Sequence, residues 1–247
     1  MTDSPAPTPV PVLITRPQPQ ADRLAQALDS AMPGKVRPVL APLMRAVFLP
    51  VDLPPGRFDA LILTSETGAE AAGRLRAAGA VLPDTLFCVG PRTARAALAH
   101  GFQPKAPAMT AKDLLQRLVL TGGAGRMLYL HGRDVSSPLA DRLAQAGIPA
   151  EARAVYAQEP LALPPQALAL LQQPGPVVVP LYSPRSARLF QAALPAGTRA
   201  DLRPCAISDS ALSALSEPLS ARGVVAEAPD GPAMMRAILR VILSLSP

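Results

Sequence analysis

Short apolar runs alternate along this chain with segments whose apolar residues recur every three to four positions. The runs are strand-like: residues 12–15, 60–63, 86–89, 127–130, 177–181, 203–207 and 223–226. Each is followed by a turn and then a helical pattern. The helices are expected at about residues 20–28, 66–78, 92–100, 110–120, 137–146, 184–193, 209–220 and from 230 onward. Thr110 with Asp113 three residues on reads as a capped helix start. Short strands that are apolar throughout, alternating with helices, predict parallel sheets covered on both faces. Two segments break this rhythm. Residues 36–48 hold strand-like pieces interrupted by Pro38 and Pro42, and residues 150–163 alternate with period two, as a half-exposed strand does.

The chain also repeats itself. Asp22-Arg23-Leu24-Ala25-Gln26-Ala27 returns as Asp141-Arg142-Leu143-Ala144-Gln145-Ala146, an offset of 119. Thr64-Ser65 has a counterpart in Tyr182-Ser183, an offset of 118, and Cys88-Val89-Gly90 aligns within one residue with Cys205-Ala206-Ile207-Ser208. These echoes indicate an internal duplication of about half the chain, hence two similar lobes with a cleft between them where a ligand binds. The repeated word itself reads as structural helix, Leu24 and Leu143 facing the sheets. The two irregular segments are the expected crossings between lobes.

Composition narrows the function. With 247 residues and 49% hydrophobic content the chain can build two cores, and 17% charged residues is too few for a disordered or coiled-coil chain. Its net charge is +6, carried almost wholly by arginines that are scattered rather than clustered. A nucleic-acid groove needs a concentrated basic patch with interleaved aromatics, so no nucleic-acid partner is expected. Dispersed guanidinium groups suit a polyanionic small molecule. Only His100 and His131 are present, which excludes a His-rich metal site. Cys88 and Cys205 lie in corresponding apolar runs and read as buried core residues, neither disulfide nor ligand. The N-terminus lacks the charged and apolar regions of a secretory signal, and no uncharged apolar stretch of membrane-spanning length occurs. Residues 234–245 are apolar but carry Arg236 and Arg240, as an amphipathic helix docked on a sheet does. The expected compartment is the cytoplasm, with no membrane partner.

In a doubly wound sheet, ligands sit beyond the carboxyl ends of the strands, where helix N-termini also point. Those positions hold Arg16, Ser65, Gly90 to Thr93, His131, Gly132 and Arg133, Ser183 to Ser186 including Arg185, and Ser208 to Ser210. They offer N–H groups, hydroxyls and guanidinium groups, a chemistry for anions; ordinary N-capping is the competing use of the serines. Known cofactor motifs are missing. Gly122-Gly123-Ala124-Gly125 precedes a strand, whereas a phosphate-binding loop follows one. Of three tyrosines, Tyr129 falls inside a strand and reads as core, Tyr182 ends a strand, and Tyr156 lies in the second crossing. A tyrosine there can donate a proton, or simply pack between strands.

Val12-Leu13-Ile14-Thr15-Arg16-Pro17, Leu63-Thr64-Ser65, Cys88-Val89-Gly90-Pro91-Arg92-Thr93-Ala94, Leu130-His131-Gly132-Arg133-Asp134, Val155-Tyr156 and Tyr182-Ser183-Pro184-Arg185-Ser186 occur in the order seen in uroporphyrinogen-III synthases. The chain resembles that family from residue 12 to about 244. The resemblance implies two flavodoxin-like α/β lobes joined by a two-stranded linker, interlocked because each copy's first unit packs with the other half. Residues 1–11 would be a disordered tail. Residues 12–37 plus 163–247 would form lobe one, 51–149 lobe two, and 38–50 and 150–162 the linker strands.

The implied lyase reaction closes hydroxymethylbilane, a linear tetrapyrrole with eight carboxylates, into uroporphyrinogen III, without cofactor or metal. The family tyrosine proposed to assist departure of the substrate hydroxyl falls on Tyr156. The carboxylates would be bound by Arg16, Ser65, Gly90, Thr93, His131, Gly132, Arg133, Ser183, Arg185, Ser208 and Ser210. A monomer that receives its substrate by transient hand-over from the preceding deaminase is expected. Two departures stand out. The family usually has Pro-Arg after the serine matched by Ser65, where this chain has Glu66-Thr67. Ser208-Asp209-Ser210-Ala211 replaces a glycine- and threonine-rich turn, and Asp209 is expected to cap its helix rather than face an anionic substrate. The alternative function is a non-catalytic two-lobed cytoplasmic binder or sensor of an anionic small molecule.

Overall fold

Alternate residues of a strand point to opposite faces of its sheet, so an apolar run with no polar interruption must be covered on both sides. That is the arrangement in the computed structural model, which describes residues 8–123, 125–134 and 138–245. The first seven residues of the expected tail, Ala124 of the glycine-rich loop and the expected helix start at Ser137 lie outside the described residues.

The first half of the chain runs β1 (Val10–Ile14), α1 (Gln18–Ala31), β2 (Val36–Leu40), β3 (Met44–Phe48), β4 (Ala60–Leu63), α2 (Glu66–Ala77), β5 (Thr85–Cys88), α3 (Pro91–Ala99), β6 (Gln103–Pro104) and α4 (Ala111–Thr121). The second half runs β7 (Met127–Gly132), α5 (Leu139–Gln145), β8 (Ala150–Pro160), α6 (Pro165–Leu171), β9 (Gly175–Leu181), α7 (Pro184–Ala193), β10 (Ala200–Ala206), α8 (Asp209–Leu212), β11 (Val224–Val225) and α9 (Gly231–Leu245).

The chain divides into two compact units. One takes residues up to Arg45 and from Pro160 onward, the other Ala46–Glu159. The first contains a sheet in the order β11-β10-β9-β1-β2, every pairing parallel. The second sheet runs β3-β8-β7-β4-β5-β6, parallel from β8 to β6. Taking β7 and β8 as the counterparts of β1 and β2, the two orders coincide apart from the added β3. Each sheet therefore joins the first two strands of one half to the last three of the other half.

Each sheet has a core on either face. In the first unit, Val12 and Ile14 pack with Leu24 and Leu28 of α1 and Met234 and Ile238 of α9, while Leu13 between them packs with Leu171 of α6 and Phe190 of α7. In the second, Leu61 and Leu63 pack with Ala72 of α2 and Ala97 of α3, whereas Ala60 and Ile62 pack with Leu118 of α4 and Leu143 of α5. Leu24 and Leu143, equivalent residues of the repeated word, thus both face their sheets. Cys88 and Cys205 are buried free thiols.

Some expectations change. Pro38 does not break its strand: β2 continues through it, opposite Val12, because β2 is an edge strand with no further neighbour to accept from residue 38. The helix expected over 209–220 ends at Leu212. Pro218 has no N–H and restricts the residue before it, and the Ser216 N–H donates to the Gln191 side chain at 2.6 Å instead of closing a helical turn. Two elements carried no distinct sequence signal: α6, one short Ala/Leu stretch after Pro164, and the two-residue β6. Among the described residues no helix is long and apolar enough to cross a membrane.

Candidate functional site

In the second unit, strands β4, β5 and β7 and the far part of β8 bring Ser65, Gly90, His131, Gly132 and Tyr156 to the carboxyl edge of the sheet. Ser65 follows β4 and is the N-cap of α2; its Oγ accepts the Gly68 N–H at 2.9 Å. The same oxygen lies 2.9 Å from the Tyr156 hydroxyl, across 91 positions of sequence. Ser65 therefore caps its helix, as weighed for it, and the same oxygen contacts the Tyr156 hydroxyl.

Tyr156 reaches this place through an irregularity in β8. His131 pairs with Ala154, but Gly132 pairs with Tyr156, so one extra residue of β8 is accommodated between them. Val155 and Tyr156 consequently pack against the same core, which successive residues of a regular strand do not do. The Arg133 N–H closes the ladder on the Tyr156 carbonyl at 2.7 Å. Gly132 is buried beneath the tyrosine, and a Cβ built on it would stand 2.7 Å from the ring carbons.

His131 Nδ1 lies 2.8 Å from the Gly132 carbonyl. A carbonyl only accepts, so Nδ1 carries the proton, and the neutral ring presents Nε2 as an acceptor. His131 can donate to a carboxylate only as imidazolium. Its ring stacks at 4.8 Å on that of Tyr129, a buried core residue as expected, whose hydroxyl is 3.4 Å from Thr64 Oγ1. Burial pushes the Tyr129 hydroxyl up, only partly offset by the bond to Thr64, and Tyr156 adds to the rise. Tyr129 stays protonated and structural. His131 and Gly132 were expected at a strand–helix turn; β7 instead continues through Gly132 and α5 begins only at Leu139. Arg133 is exposed.

At the end of β5, Gly90 adopts φ +82°, a conformation that favours glycine, with open space where a side chain would stand. No side chain caps α3, so its first N–H groups are available to an anion. Thr93 is only 4% exposed, so its hydroxyl is not presented to solvent.

In the first unit, Arg16 follows β1 and its guanidinium lies 3.7 Å from the centroid of the Tyr182 ring at the end of β9. Tyr182 is the residue the sequence reading left out of the site. Its signal was its place at a strand end, opposite the N-terminal strand's arginine once β1 and β9 pair. Ser183 caps α7 and forms a reciprocal capping box with Ser186, leaving Arg185 in the first turn, half-buried. Ser208 caps α8 through the Ala211 N–H and lies 3.0 Å from Ser210 Oγ. Asp209 was expected to do that capping. Ser208 does it instead, and Asp209 occupies the first helical position, exposed, where a negative charge complements the helix dipole.

Hydrogen bonds and packing thus link Ser65, Gly132, His131, Arg133 and Tyr156, and separately Arg16 with Tyr182 and Ser208 with Ser210. Gly90 and Thr93 stand at the neighbouring strand end, after β5. Among the described residues no three His, Cys, Asp or Glu side chains assemble as a metal site. The chemistry on offer is anion binding and proton transfer by hydroxyl groups.

The fold is that of an α/β protein with parallel sheets flanked by helices, and the hydroxyl, amide N–H and guanidinium groups at its strand ends are chemically suited to an anionic ligand. The chain belongs to the uroporphyrinogen-III synthase HemD family, whose model matches residues 22–236. It is similar to the crystal structure of uroporphyrinogen-III synthetase from Helicobacter pylori 26695, with TM-score 0.65 and 16% identity over 94% of this chain and 99% of that one. It is also similar to a mutant uroporphyrinogen III synthase from the extremely thermophilic bacterium Thermus thermophilus, with TM-score 0.51 and 18% identity over 95% of this chain and 99% of that one. No curated protein matches the chain significantly.

Proposed function

We propose that the chain closes hydroxymethylbilane to uroporphyrinogen III, as a lyase of tetrapyrrole (haem) biosynthesis. The match to the synthase family over residues 22–236 carries this reading. A non-catalytic binder is not favoured, since nothing in the geometry calls for one.

Each unit is taken as a flavodoxin-like lobe: the first sheet has the strand order 2-1-3-4-5 in chain order, and the second has the same order once β7 and β8 are counted as its first two strands and the added β3 is set aside. The chain is then an interlocked duplication, residues 12–37 plus 163–247 forming one lobe, 51–149 the other, and 38–50 and 150–162 linking them. The doubled word in α1 and α5 supports this.

In the reaction, the Tyr156 hydroxyl gives its proton to the departing hydroxyl of the substrate, and water leaves. The resulting azafulvene cation is attacked by the substituted carbon of the last pyrrole ring, forming a spiro intermediate. The original bond from the preceding methylene bridge to that carbon then breaks, and the methylene bonds instead to the free α-carbon on the other side of the ring nitrogen, which inverts the ring. Loss of a ring proton restores aromaticity and balances the one donated. The eight carboxylates are held by Arg16, Arg133 and Arg185, by the open N-terminus of α3 at Gly90 and Thr93, and by the hydroxyls of Ser183, Ser208 and Ser210. His131 joins this carboxylate-binding set when its ring is imidazolium. Holding a flexible chain in a closing geometry supplies most of the rate, with proton donation a smaller part. Action as a cytoplasmic monomer, with direct hand-over from the deaminase that makes hydroxymethylbilane, fits a substrate reactive enough to close unaided.

The test is to generate hydroxymethylbilane in situ with the purified protein present and resolve the porphyrin isomers after oxidation. Isomer III is expected. Isomer I alone, as in the protein-free control, rejects the assignment. Tyr156→Phe is expected to lower kcat by about a hundredfold, the low end for a general acid.

A further inference from the structure

We infer that Ser65 and Gly132 act on the reaction through Tyr156, as positioning residues, rather than by binding substrate. This rests on the proton-donor role proposed for Tyr156.

Ser65 Oγ already accepts the Gly68 N–H at the start of α2. Its own proton is still available, and the proposed direction gives it to the Tyr156 oxygen, 2.9 Å away, a pair across which either hydroxyl can donate. The bonds then run one way, from the Gly68 N–H to the Ser65 hydroxyl to the Tyr156 hydroxyl. The phenol proton is left pointing outward, toward a departing group. Once that proton is given up, the phenolate finds a donor in place, and that donor is polarised by a helix N-terminus.

Gly132 holds the same hydroxyl end of the tyrosine from beneath the ring. The extra residue in β8 sets Tyr156 opposite Gly132, and the ring lies so close that a Cβ would stand 2.7 Å from Cε2 and Cζ and 2.9 Å from the hydroxyl oxygen. Those distances are shorter than real Cβ contacts allow, so alanine there must push the ring and carry its hydroxyl off Ser65. Gly132 is not among the glycines with positive φ, so alanine meets the ring with no added backbone strain.

The experiment measures kcat, KM and the isomer III fraction with hydroxymethylbilane for Ser65→Gly, Gly132→Ala, Tyr156→Phe and the two double variants with Tyr156→Phe. Glycine is chosen at position 65 because it is itself an acceptable N-cap, so α2 stays formed. Ser65→Gly is expected to lower kcat about tenfold, the low end for the loss of one hydrogen bond to a charged oxygen, with KM little changed. Ser65→Thr restores it. Gly132→Ala is expected to lower kcat in the same way. In the Tyr156→Phe background neither substitution lowers kcat further, because the group they position is gone. If Ser65→Gly costs as much in that background as in the native chain, the positioning role is overturned while the role of Tyr156 stands. If Tyr156→Phe turns over at the native rate, both fall together. Should Gly132→Ala fail to fold, Ser65→Gly and its double variant decide the matter alone.

Discussion

The guanidinium of Arg16 lies 3.7 Å from the centre of the Tyr182 ring, joining the carboxyl ends of β1 and β9 in one unit. Stacking fixes the plane of the guanidinium and so presets it for a carboxylate. Arg16→Lys keeps the charge but loses the plane and the paired donors. KM for hydroxymethylbilane is expected to rise about fivefold with a smaller effect on kcat. Tyr182→Leu should produce much of the same rise, and Tyr182→Phe little of it. Steady-state kinetics on the three variants check this.

Burial pushes the Cys205 thiol up from 9.0 to about 12 and raises Cys88 by the same cause. A group whose folded value is raised contributes its full stability below the unfolded value and loses it as pH rises toward the folded one. Cys205 should therefore leave stability untouched up to about pH 9 and erode it between about 9 and about 12. Urea midpoints at pH 8 and pH 10.5, for the native chain and Cys205→Ala, measure the difference. At pH 8 neither thiol should react with a thiol reagent until denaturant is added.

Thr110 and Asp113 form a reciprocal capping box at the start of α4, with Asp113 N to Thr110 Oγ1 at 3.1 Å and Thr110 N to Asp113 Oδ2 at 3.0 Å. Thr110→Ala is expected to cost about 1 kcal/mol and lower Tm by roughly 2–4 °C, with kcat and KM unchanged. Differential scanning calorimetry beside the turnover assay tests both halves.

Phe190 is fully buried between α7 and its sheet, against Leu13 and Val179. Phe190→Ala should cost about 3–5 kcal/mol by transfer and cavity formation. Val81, 87% exposed, is the contrast: Val81→Ser should stay within about 0.5 kcal/mol. Chemical denaturation of the two variants separates packing from mere hydrophobicity.

Much of the fold was legible because its signals are local. Pro184–Ala193 announces a helix by its serine cap, its proline at the first position and its apolar spacing, and it forms over those residues. The 209–220 helix misled because the spacing continues past Leu212, while the competing partner, Gln191, is distant in sequence. At the site, strand-end positions identified Arg16 and Ser65 as residues of interest, and the second crossing together with the family resemblance identified Tyr156. Tyr182 was passed over because its neighbour, Arg16, comes from the opposite end of the chain. Ser65 read only as a cap or an anion donor because its hydroxyl partner is 91 residues away.

The sequence by itself determined the alternation of strands and helices, the two-faced burial of each sheet, the doubled word and the anion-seeking residue types at strand ends. All of these follow from periodicity, capping and composition within short windows. That β1 and β2 join β9, β10 and β11, while β7 and β8 join β4, β5 and β6, follows from no local pattern: the family resemblance implied the exchange, and the packed sheets carry it out. Equivalent strands of two similar halves have similar faces, and only the packed sheet selects between them. The tertiary structure alone decided that Tyr156 stands opposite Gly132 with its hydroxyl on Ser65. A one-residue shift in strand register turns a side chain to the other face, and that shift is set by hydrogen bonds between strands, which no local pattern records.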